Sequence, residues 1–141
     1  MVCLGNICRS PLAHGVLQKL ANEAGLNWEI DSAGTGNWHI GEAPDIRSVR
    51  IAQKFGVDIS QQKARQFHRN DFDYYDAIFV MDRNNLRDVM DMAKTEDQRA
   101  KVSLFLFDSE VPDPYYDNKL FEPIFRTIEA RCIELIEELK T

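Results

Sequence analysis

The stretch that most constrains this chain lies at residues 2–11, Val-Cys-Leu-Gly-Asn-Ile-Cys-Arg-Ser-Pro, and it is typical of a tight loop that opens onto a helix. Gly5 permits a left-handed or closely approaching backbone, and Asn6 also tolerates the left-handed region. Successive N–H groups in such a loop can point inward as an anion-binding nest, and the positive end of the following helix adds to it. The stretch therefore predicts a cradle for one tetrahedral anion, built from Leu4, Gly5, Asn6, Ile7 and Cys8.

Three side chains suggest that this loop is a catalytic site and not merely a turn. Cys3 lies at its mouth, and the positive field there, together with Arg9, favours the thiolate form. The planar guanidinium of Arg9 suits two oxygens of a phosphate. Ser10 is the expected N-cap of the helix, with Pro11 in its first turn. The pattern predicts a cysteine nucleophile that attacks phosphorus; the alternative is a surface turn with a buried structural cysteine.

Size, charge and cysteine content limit the remaining possibilities. The 141 residues, 44 % of them hydrophobic, are expected to form a single domain, 1–141. The net charge of −6 disfavours nucleic acid as a partner, and no apolar run approaches 18 residues, so no membrane association is expected. Three cysteines do not make a disulfide framework, which favours reduced thiols and a cytoplasmic location.

Apolar periodicity alternates between strands and helices along the chain. This pattern predicts an α/β sandwich with a mostly parallel sheet, in which ligands bind at the carboxyl ends of the strands. The cysteine loop, Asp82 and the loop containing Asp113 all follow strand candidates, so they are expected at one edge. Strands are expected at 28–33, 77–81 and 102–106; helices at 11–24, 44–55 (with Ile46 facing inward), 83–93 and 118–140; a short helical turn at 70–72; and a solvated charged segment at 94–99.

Asp113 is the best candidate for a general acid. It lies between two prolines, which stiffen its loop. If the cysteine attacks phosphorus, the leaving oxygen needs a proton, and a positioned carboxylic acid is worth roughly 10² to 10⁴ in rate. Tyr115 and Tyr116 could line a slot for an aromatic leaving group. Trp38 is interpreted either as a pocket wall or as a partly buried anchor.

With the loop of Cys3 and Arg9 and the loop of Asp113 both present, the chain resembles the low-molecular-weight protein tyrosine phosphatases. The resemblance implies a three-layer α/β/α sandwich with a four-stranded parallel sheet and the phosphate loop after the first strand. It implies hydrolysis of aryl phosphate monoesters through a phosphocysteine intermediate, without metal or cofactor. Its implied partners are a phosphotyrosine-containing protein or a small aryl phosphate. The motifs that carry it are residues 2–11, Asp-Ser-Ala-Gly (31–34), Ala-Arg-Gln (64–66), Met-Asp (81–82) and Asp-Pro-Tyr-Tyr (113–116).

The resemblance also implies a role for each matched side chain. Cys3 would be the nucleophile, Arg9 the phosphate clamp, and Asp113 the acid and then the base. Ser10 would donate its hydroxyl to the thiolate or to the departing phosphate. Cys8 would be the neighbour that forms a protective disulfide with Cys3 under oxidation. Asn6 would hold the shape of the loop, and the specificity walls would be Trp38, Tyr115 and Tyr116.

Two departures from the family pattern lead to further expectations. Only Met1 and Val2 precede the nucleophile, so the first strand is expected to be truncated. The family often has a histidine two residues before the Ala-Arg-Gln motif, where it supports the loop asparagine. Here that place is Gln62, whose amide could donate the same hydrogen bond.

Three other functions remain open at this point. A phosphatase of the same fold acting on phosphoarginine usually carries Thr where Ile7 stands, and Ile7 with the tyrosine pair favours an aryl phosphate instead. Arsenate reduction needs further thiols to relay electrons, and Cys132 has no paired partner. A non-enzymatic phosphate- or phosphotyrosine-binding module would not need both Cys3 and Asp113.

Overall fold

Four short parallel strands form the centre of the protein. The structure is a computed structural model and describes residues 1–140. None of the helices in that range is long and apolar enough to cross a membrane. The elements are β1 (Val2–Cys3), α1 (Arg9–Glu23), β2 (Ala33–Gly34), α2 (Ile46–Lys54), α3 (Asp71–Tyr74), β3 (Ile78–Val80), α4 (Arg83–Met92), α5 (Glu96–Ala100), β4 (Val102–Leu104), a 3₁₀ turn (Asn118–Leu120) and α6 (Phe121–Leu139).

The strand order is β2-β1-β3-β4, and every pairing is parallel. Val2 pairs with Ala33 on one side and with Val80 on the other, so β1 is central although it has only two residues. The predicted α/β fold with a four-stranded parallel sheet is confirmed. The residues after β1, β3 and β4 therefore meet at one edge of the sheet.

The two residues of β1 point to opposite faces of the sheet, as alternation along a strand requires. Cys3 joins the core formed with α1, α2 and α6, in which Leu12 and Phe125 are fully buried. Val2 joins a second core on the other face, with Phe72 and Val89 from the helices there. Apolar packing on both faces fixes the sheet, and with it the loop that leaves β1.

The strand expected at 28–33 is wrong over most of its length, because only Ala33–Gly34 pairs as a strand. Met1 N donates to Asp31 O at 3.0 Å, so backbone pairing with the first strand reaches only to Asp31, and residues 28–30 bond to a side chain in place of a strand. Gln18 of α1 takes that place: its Nε2 donates to Trp28 O at 3.1 Å and its Oε1 accepts from Ile30 N at 3.2 Å. The other two strands lie inside the predicted ranges.

Two local expectations about helices also need correction. Helix α1 begins at Arg9, so Ser10 is its second residue and not its N-cap, and the Ser10 hydroxyl is engaged elsewhere. Ile46, at the start of α2, is exposed, because the buried side of that helix is formed by Ser48 and Ala52. The charged segment expected at 94–99 is solvated as expected, and it also contains the start of helix α5, capped by the Thr95 hydroxyl.

Candidate active site

The loop between β1 and α1 is held in shape by Asn6. Its φ of 57° lies in the left-handed region, which Asn tolerates better than most residues. Its side chain is buried and fully engaged: Nδ2 donates to Ser10 Oγ at 2.8 Å and to Ser32 Oγ at 3.0 Å, and Oδ1 accepts from Arg65 N at 3.0 Å. These contacts join the loop to three separate parts of the chain.

The backbone of this loop offers unused donors. Within residues 1–140, the amides of residues 5–8 find no backbone or side-chain acceptor. The loop also packs directly on Gly34, where a Cβ would lie 2.8 Å from Leu4 O, so only glycine fits there. A curved loop with free N–H groups at a helix N-terminus is suited to binding an anion.

Cys3 lies beneath this loop with its sulfur 3.0 Å from Ser10 Oγ. The Ser10 hydroxyl accepts its own hydrogen bond from Asn6, which leaves its proton free to be donated to the sulfur. Both Cys3 and Ser10 are buried. The geometry allows the hydroxyl to stabilise a thiolate.

The Arg9 guanidinium is fixed from below the loop. Its Nη1 donates to Asp82 Oδ2 at 2.8 Å and to Val111 O at 2.9 Å, and its side chain is only 4 % exposed. Burial acts to lower the pKa of Arg9, but the nearby Cys3 sulfur and the Asp82 carboxylate raise it overall. The remaining guanidinium N–H groups are available to phosphate oxygens.

Asp113 faces Cys3 and Arg9 across a cavity of about 320 Å³. Asp113 is solvent-exposed, and its Oδ1 accepts from Tyr115 N at 3.1 Å, which fixes the turn that carries it. The structure thus brings the three predicted catalytic side chains to one cavity. Its lining is formed by Cys3, Leu4, Gly5, Ile7, Cys8, Arg9, Trp38, His39, Asp113, Tyr115 and Tyr116.

Exposed aromatic rings form the rim. Tyr115 and Tyr116 contact each other edge to face, with centroids 4.9 Å apart, and Tyr116 is 91 % exposed. Trp38, on the facing loop, is 66 % exposed and lies over Gly36. Trp38 is therefore a pocket wall and not a buried anchor. His39, for which the sequence predicted no role, packs against Gly5 and pairs with Glu42, Nδ1 to Oε2, at 2.6 Å.

The other two cysteines have different surroundings from Cys3. Cys8 lines the cavity, and burial raises the pKa of its thiol to about 12. Cys132 lies in the core on α6, where burial raises its pKa to about 12 as well. All three cysteines are free thiols, and the Cys3–Cys8 disulfide stays a prediction.

Sequence reasoning left three supporting residues without a role. Asp82 belongs to the Met-Asp motif and follows a strand, which was the available signal for its contact with Arg9. Ser32 belongs to the Asp-Ser-Ala-Gly motif and contacts Asn6. His14 Nδ1 lies 3.2 Å from Ser32 Oγ, although nothing in its spacing pointed to this. Gln62, whose amide was a possible support for Asn6, donates its Nε2 hydrogen to Pro11 O at 3.2 Å instead.

A larger cavity, of about 640 Å³, lies around Met1, at the other end of β1 from the loop. Its lining includes Asp31, Arg65 and Tyr75 but no cysteine. The Arg65 guanidinium there is already paired with Asp31 and Asp71. The smaller cavity is the candidate active site, because Cys3, Arg9 and Asp113 line it together with the loop that carries the free amides.

Comparison with known proteins gives matches over the whole chain. The family model described as low molecular weight phosphotyrosine protein phosphatase matches residues 1–141. The pig low molecular weight phosphotyrosine protein phosphatase is 36 % identical over 148 residues, covering 99 % of this chain and 93 % of that protein.

Solved structures agree with these sequence matches. The Entamoeba histolytica protein tyrosine phosphatase, crystallised with Hepes in its active site, superposes with a TM-score of 0.92 at 34 % identity, over 99 % of this chain and 94 % of that one. Vibrio vulnificus Wzb in complex with benzylphosphonate superposes with a TM-score of 0.88 at 29 % identity, over 98 % and 95 % of the two chains.

Proposed function

Because this chain belongs to the low molecular weight phosphotyrosine protein phosphatase family and is therefore a cysteine-dependent phosphatase, we propose that Cys3, Arg9 and Asp113 carry out its reaction. The observation that supports this assignment best is the meeting of all three side chains at one cavity beneath free backbone amides. We treat residues 1–141 as one phosphatase domain.

The first step transfers the phosphoryl group to sulfur. The Cys3 thiolate attacks phosphorus as the bond to the leaving oxygen breaks, and protonated Asp113 gives its proton to that oxygen. The phosphate oxygens bind the amides of the loop and the free N–H groups of Arg9, whose orientation is set by Asp82. The charge that spreads over these oxygens is thereby stabilised in place.

The second step returns the enzyme to its starting state. Asp113, now ionised, takes a proton from water as the water oxygen attacks phosphorus and the sulfur–phosphorus bond breaks. The sulfur leaves as a thiolate, which the Ser10 hydroxyl at 3.0 Å stabilises. Inorganic phosphate is the second product.

The rim favours an aryl phosphate as substrate. Trp38, Tyr115 and Tyr116 border the cavity and offer aromatic faces and edges to a phenyl ring. Benzylphosphonate in the Vibrio vulnificus relative and sulphate in Wzb from Escherichia coli K30 support binding of a phosphate-like anion. We infer a phosphotyrosine-containing protein or a small aryl phosphate as the substrate.

The alternatives fit the site less well. Arsenate reduction would need a further thiol near Cys3 and Cys8, but Cys132 is buried in the core, outside the cavity. A binding module would not need Asp113 opposite a buried cysteine. The tyrosine rim disfavours phosphoarginine. Since the reaction needs a reduced Cys3, we place the enzyme in a reducing compartment, the cytoplasm.

The test combines one variant with a set of substrates. Cys3→Ser should abolish turnover and leave vanadate binding measurable, because the amides and Arg9 remain. Wild-type hydrolysis should be fastest on a phosphotyrosine peptide and far slower on phosphoserine and phosphoarginine peptides. Retained turnover in Cys3→Ser would reject the covalent mechanism, and a preference for phosphoarginine would reject the substrate class.

A further inference from the structure

Arg47 lies at the point where the two halves of the active site meet. It belongs to the first turn of α2, next to Asp45, which caps that helix by accepting from Arg47 N. The Arg47 guanidinium grips the same carboxylate through two parallel bonds, Nε to Oδ1 at 2.9 Å and Nη2 to Oδ2 at 2.8 Å. Asp45 N in turn donates to Ile7 O at 2.8 Å, so this pair is anchored on the phosphate loop.

The other edge of the guanidinium reaches the loop that carries Asp113. Arg47 Nη1 donates to Tyr115 O at 2.9 Å and to Asn118 Oδ1 at 2.6 Å. Its planar head also lies over the Tyr115 ring at 5.3 Å and the Phe121 ring at 4.6 Å, both cation–π distances. One side chain therefore joins the phosphate loop, the loop that carries Asp113 and the start of α6.

The loop of residues 112–118, which carries Asp113 and is called the acid loop here, makes few other hydrogen bonds. Its remaining hydrogen bonds are internal, from Tyr115 N to Asp113 Oδ1, from Asp117 N to Pro114 O and from the backbone of the 3₁₀ turn to Asp117. Within residues 1–140, the hydrogen bonds that join residues 112–119 to another segment both come from Arg47. Without this side chain, the exposed loop would sample positions in which the acid is out of reach of the leaving oxygen.

We propose that Arg47 is a positioning residue that holds the 112–118 loop, and with it Asp113, against the phosphate loop. The inference rests on the proposed role of Asp113 as the general acid. Arg47 is not among the residues that line the cavity, so it acts through the loop and not on the phosphate. Lysine could not replace it, since a point charge cannot bind a carboxylate in bidentate fashion and a carbonyl at once.

The experiment measures kcat/KM on a series of aryl phosphates whose phenols range from good to poor leaving groups. Arg47→Met keeps the packing and removes the hydrogen bonds. We expect a loss that grows as the leaving group becomes poorer, to about tenfold for unsubstituted phenyl phosphate, because only poor leaving groups need the proton. The inhibition constant for vanadate should change by less than about twofold, since the cradle is intact.

A matched control comes from the same helix. Lys54→Met removes an exposed ion pair with Glu122, 2.7 Å long, that also joins α2 to α6, and should leave the whole series unchanged. Asn118→Ala removes one acceptor of Arg47 and leaves the Asp45 pair in place. It should give a smaller loss with the same leaving-group dependence, and it carries the test if Arg47→Met does not fold.

Double substitution separates this inference from the proposed function. In an Asp113→Asn background, Arg47→Met should cause no further loss in kcat/KM, because the two changes remove the same proton transfer. A further loss there, an equal loss across the series, or no loss at all would overturn the role of Arg47. If Asp113→Asn alone lost the same factor in kcat/KM for every leaving group, Asp113 would instead be rejected as the acid.

Discussion

The Ser10 hydroxyl lies 3.0 Å from the Cys3 sulfur while accepting a hydrogen bond from the Asn6 amide at 2.8 Å. This fixes the direction of the hydroxyl: its lone pair faces Asn6 and its proton is free for the sulfur. A hydrogen bond to a charged group contributes about 1.5–3 kcal/mol. The contact therefore matters most where the proposed mechanism needs an anionic sulfur, before attack and as the phosphocysteine breaks down.

Replacing Ser10 by Ala should lower kcat by about 10- to 100-fold, the kinetic equivalent of one charged hydrogen bond. The loss should fall on the breakdown of the phosphocysteine, where sulfur is the leaving group, and should appear as a larger burst in rapid kinetics. Ser48→Ala is the control, because its buried hydroxyl reaches Cys8 O and not the sulfur. An unchanged kcat in Ser10→Ala would contradict the role.

Replacing Asn6 tests the shape of the loop. Asn6→Ala loses three hydrogen bonds and places an alanine at a φ of 57°, so we expect a loss of about 2–3 kcal/mol in the free energy of unfolding. Asn6→Gly loses the same bonds but tolerates that φ, and should be less destabilised by about 1 kcal/mol. Chemical denaturation measures both. Equal stability of the two variants would show that backbone strain is not involved.

Replacing Asp82 by Asn should leave the positive charge of Arg9 uncompensated. The variant keeps the N-cap of α4 but leaves the buried guanidinium without its carboxylate, so the melting temperature should fall. Saturating phosphate supplies a compensating anion, so the difference in melting temperature from the wild type should shrink when phosphate is added. A difference that is the same with and without phosphate would mean that Asp82 does not compensate Arg9.

Replacing Gly36 tests the aromatic rim. Gly36→Ala would place a methyl group in collision with the Trp38 ring, so the exposed indole must move away. We expect KM for aryl phosphates to rise about threefold with kcat unchanged, because the ring binds substrate and transition state alike. Gly41→Ala, at a φ of 84° with nothing within 4 Å, should instead lower stability by about 1 kcal/mol and leave KM unchanged.

Stability below neutral pH should depend on His14. Burial lowers the pKa of His14 from its ordinary value of 6.5, so the unfolded chain binds more protons than the folded one below that pH. Stability is therefore lost as the pH falls from about 7 through 6.5 and towards the folded pKa. His14→Gln should remove this part of the pH dependence in denaturation measured between pH 5 and 7. A wild-type profile in the variant would exclude His14 as its source.

Much of the site could be read from contiguous sequence. The loop of residues 2–11 carries the candidate nucleophile, the flexible backbone and the arginine within ten positions, so short-range geometry alone indicates an anion cradle. Strand–helix alternation then predicts a parallel sheet, and such a sheet brings Asp82 and the loop of Asp113 to the same edge. These inferences need only local propensity and one topological rule.

Local pattern failed where hydrogen-bond partners come from distant segments. The run at 28–33 has the composition of a strand, but only Ala33–Gly34 pairs as one, and Gln18 takes the backbone bonds of Trp28 and Ile30. Ser10 has the character of an N-cap, but Asn6 and Cys3 use its hydroxyl. A donor or acceptor binds whatever the fold brings close, and sequence spacing does not record that distance.

The sequence by itself determined the layered α/β architecture and the candidate nucleophile with its candidate anion cradle, because residues close in the chain and the period of the apolar positions dictate them. Only the tertiary structure decided how the groups are aimed: Asp82 lies 73 positions from Arg9, and the Arg47 contacts to Tyr115 and Asn118 span 68 and 71 positions. Orientation is set by hydrogen bonds and ion pairs between segments that meet only after the sheet has formed and both of its faces have packed.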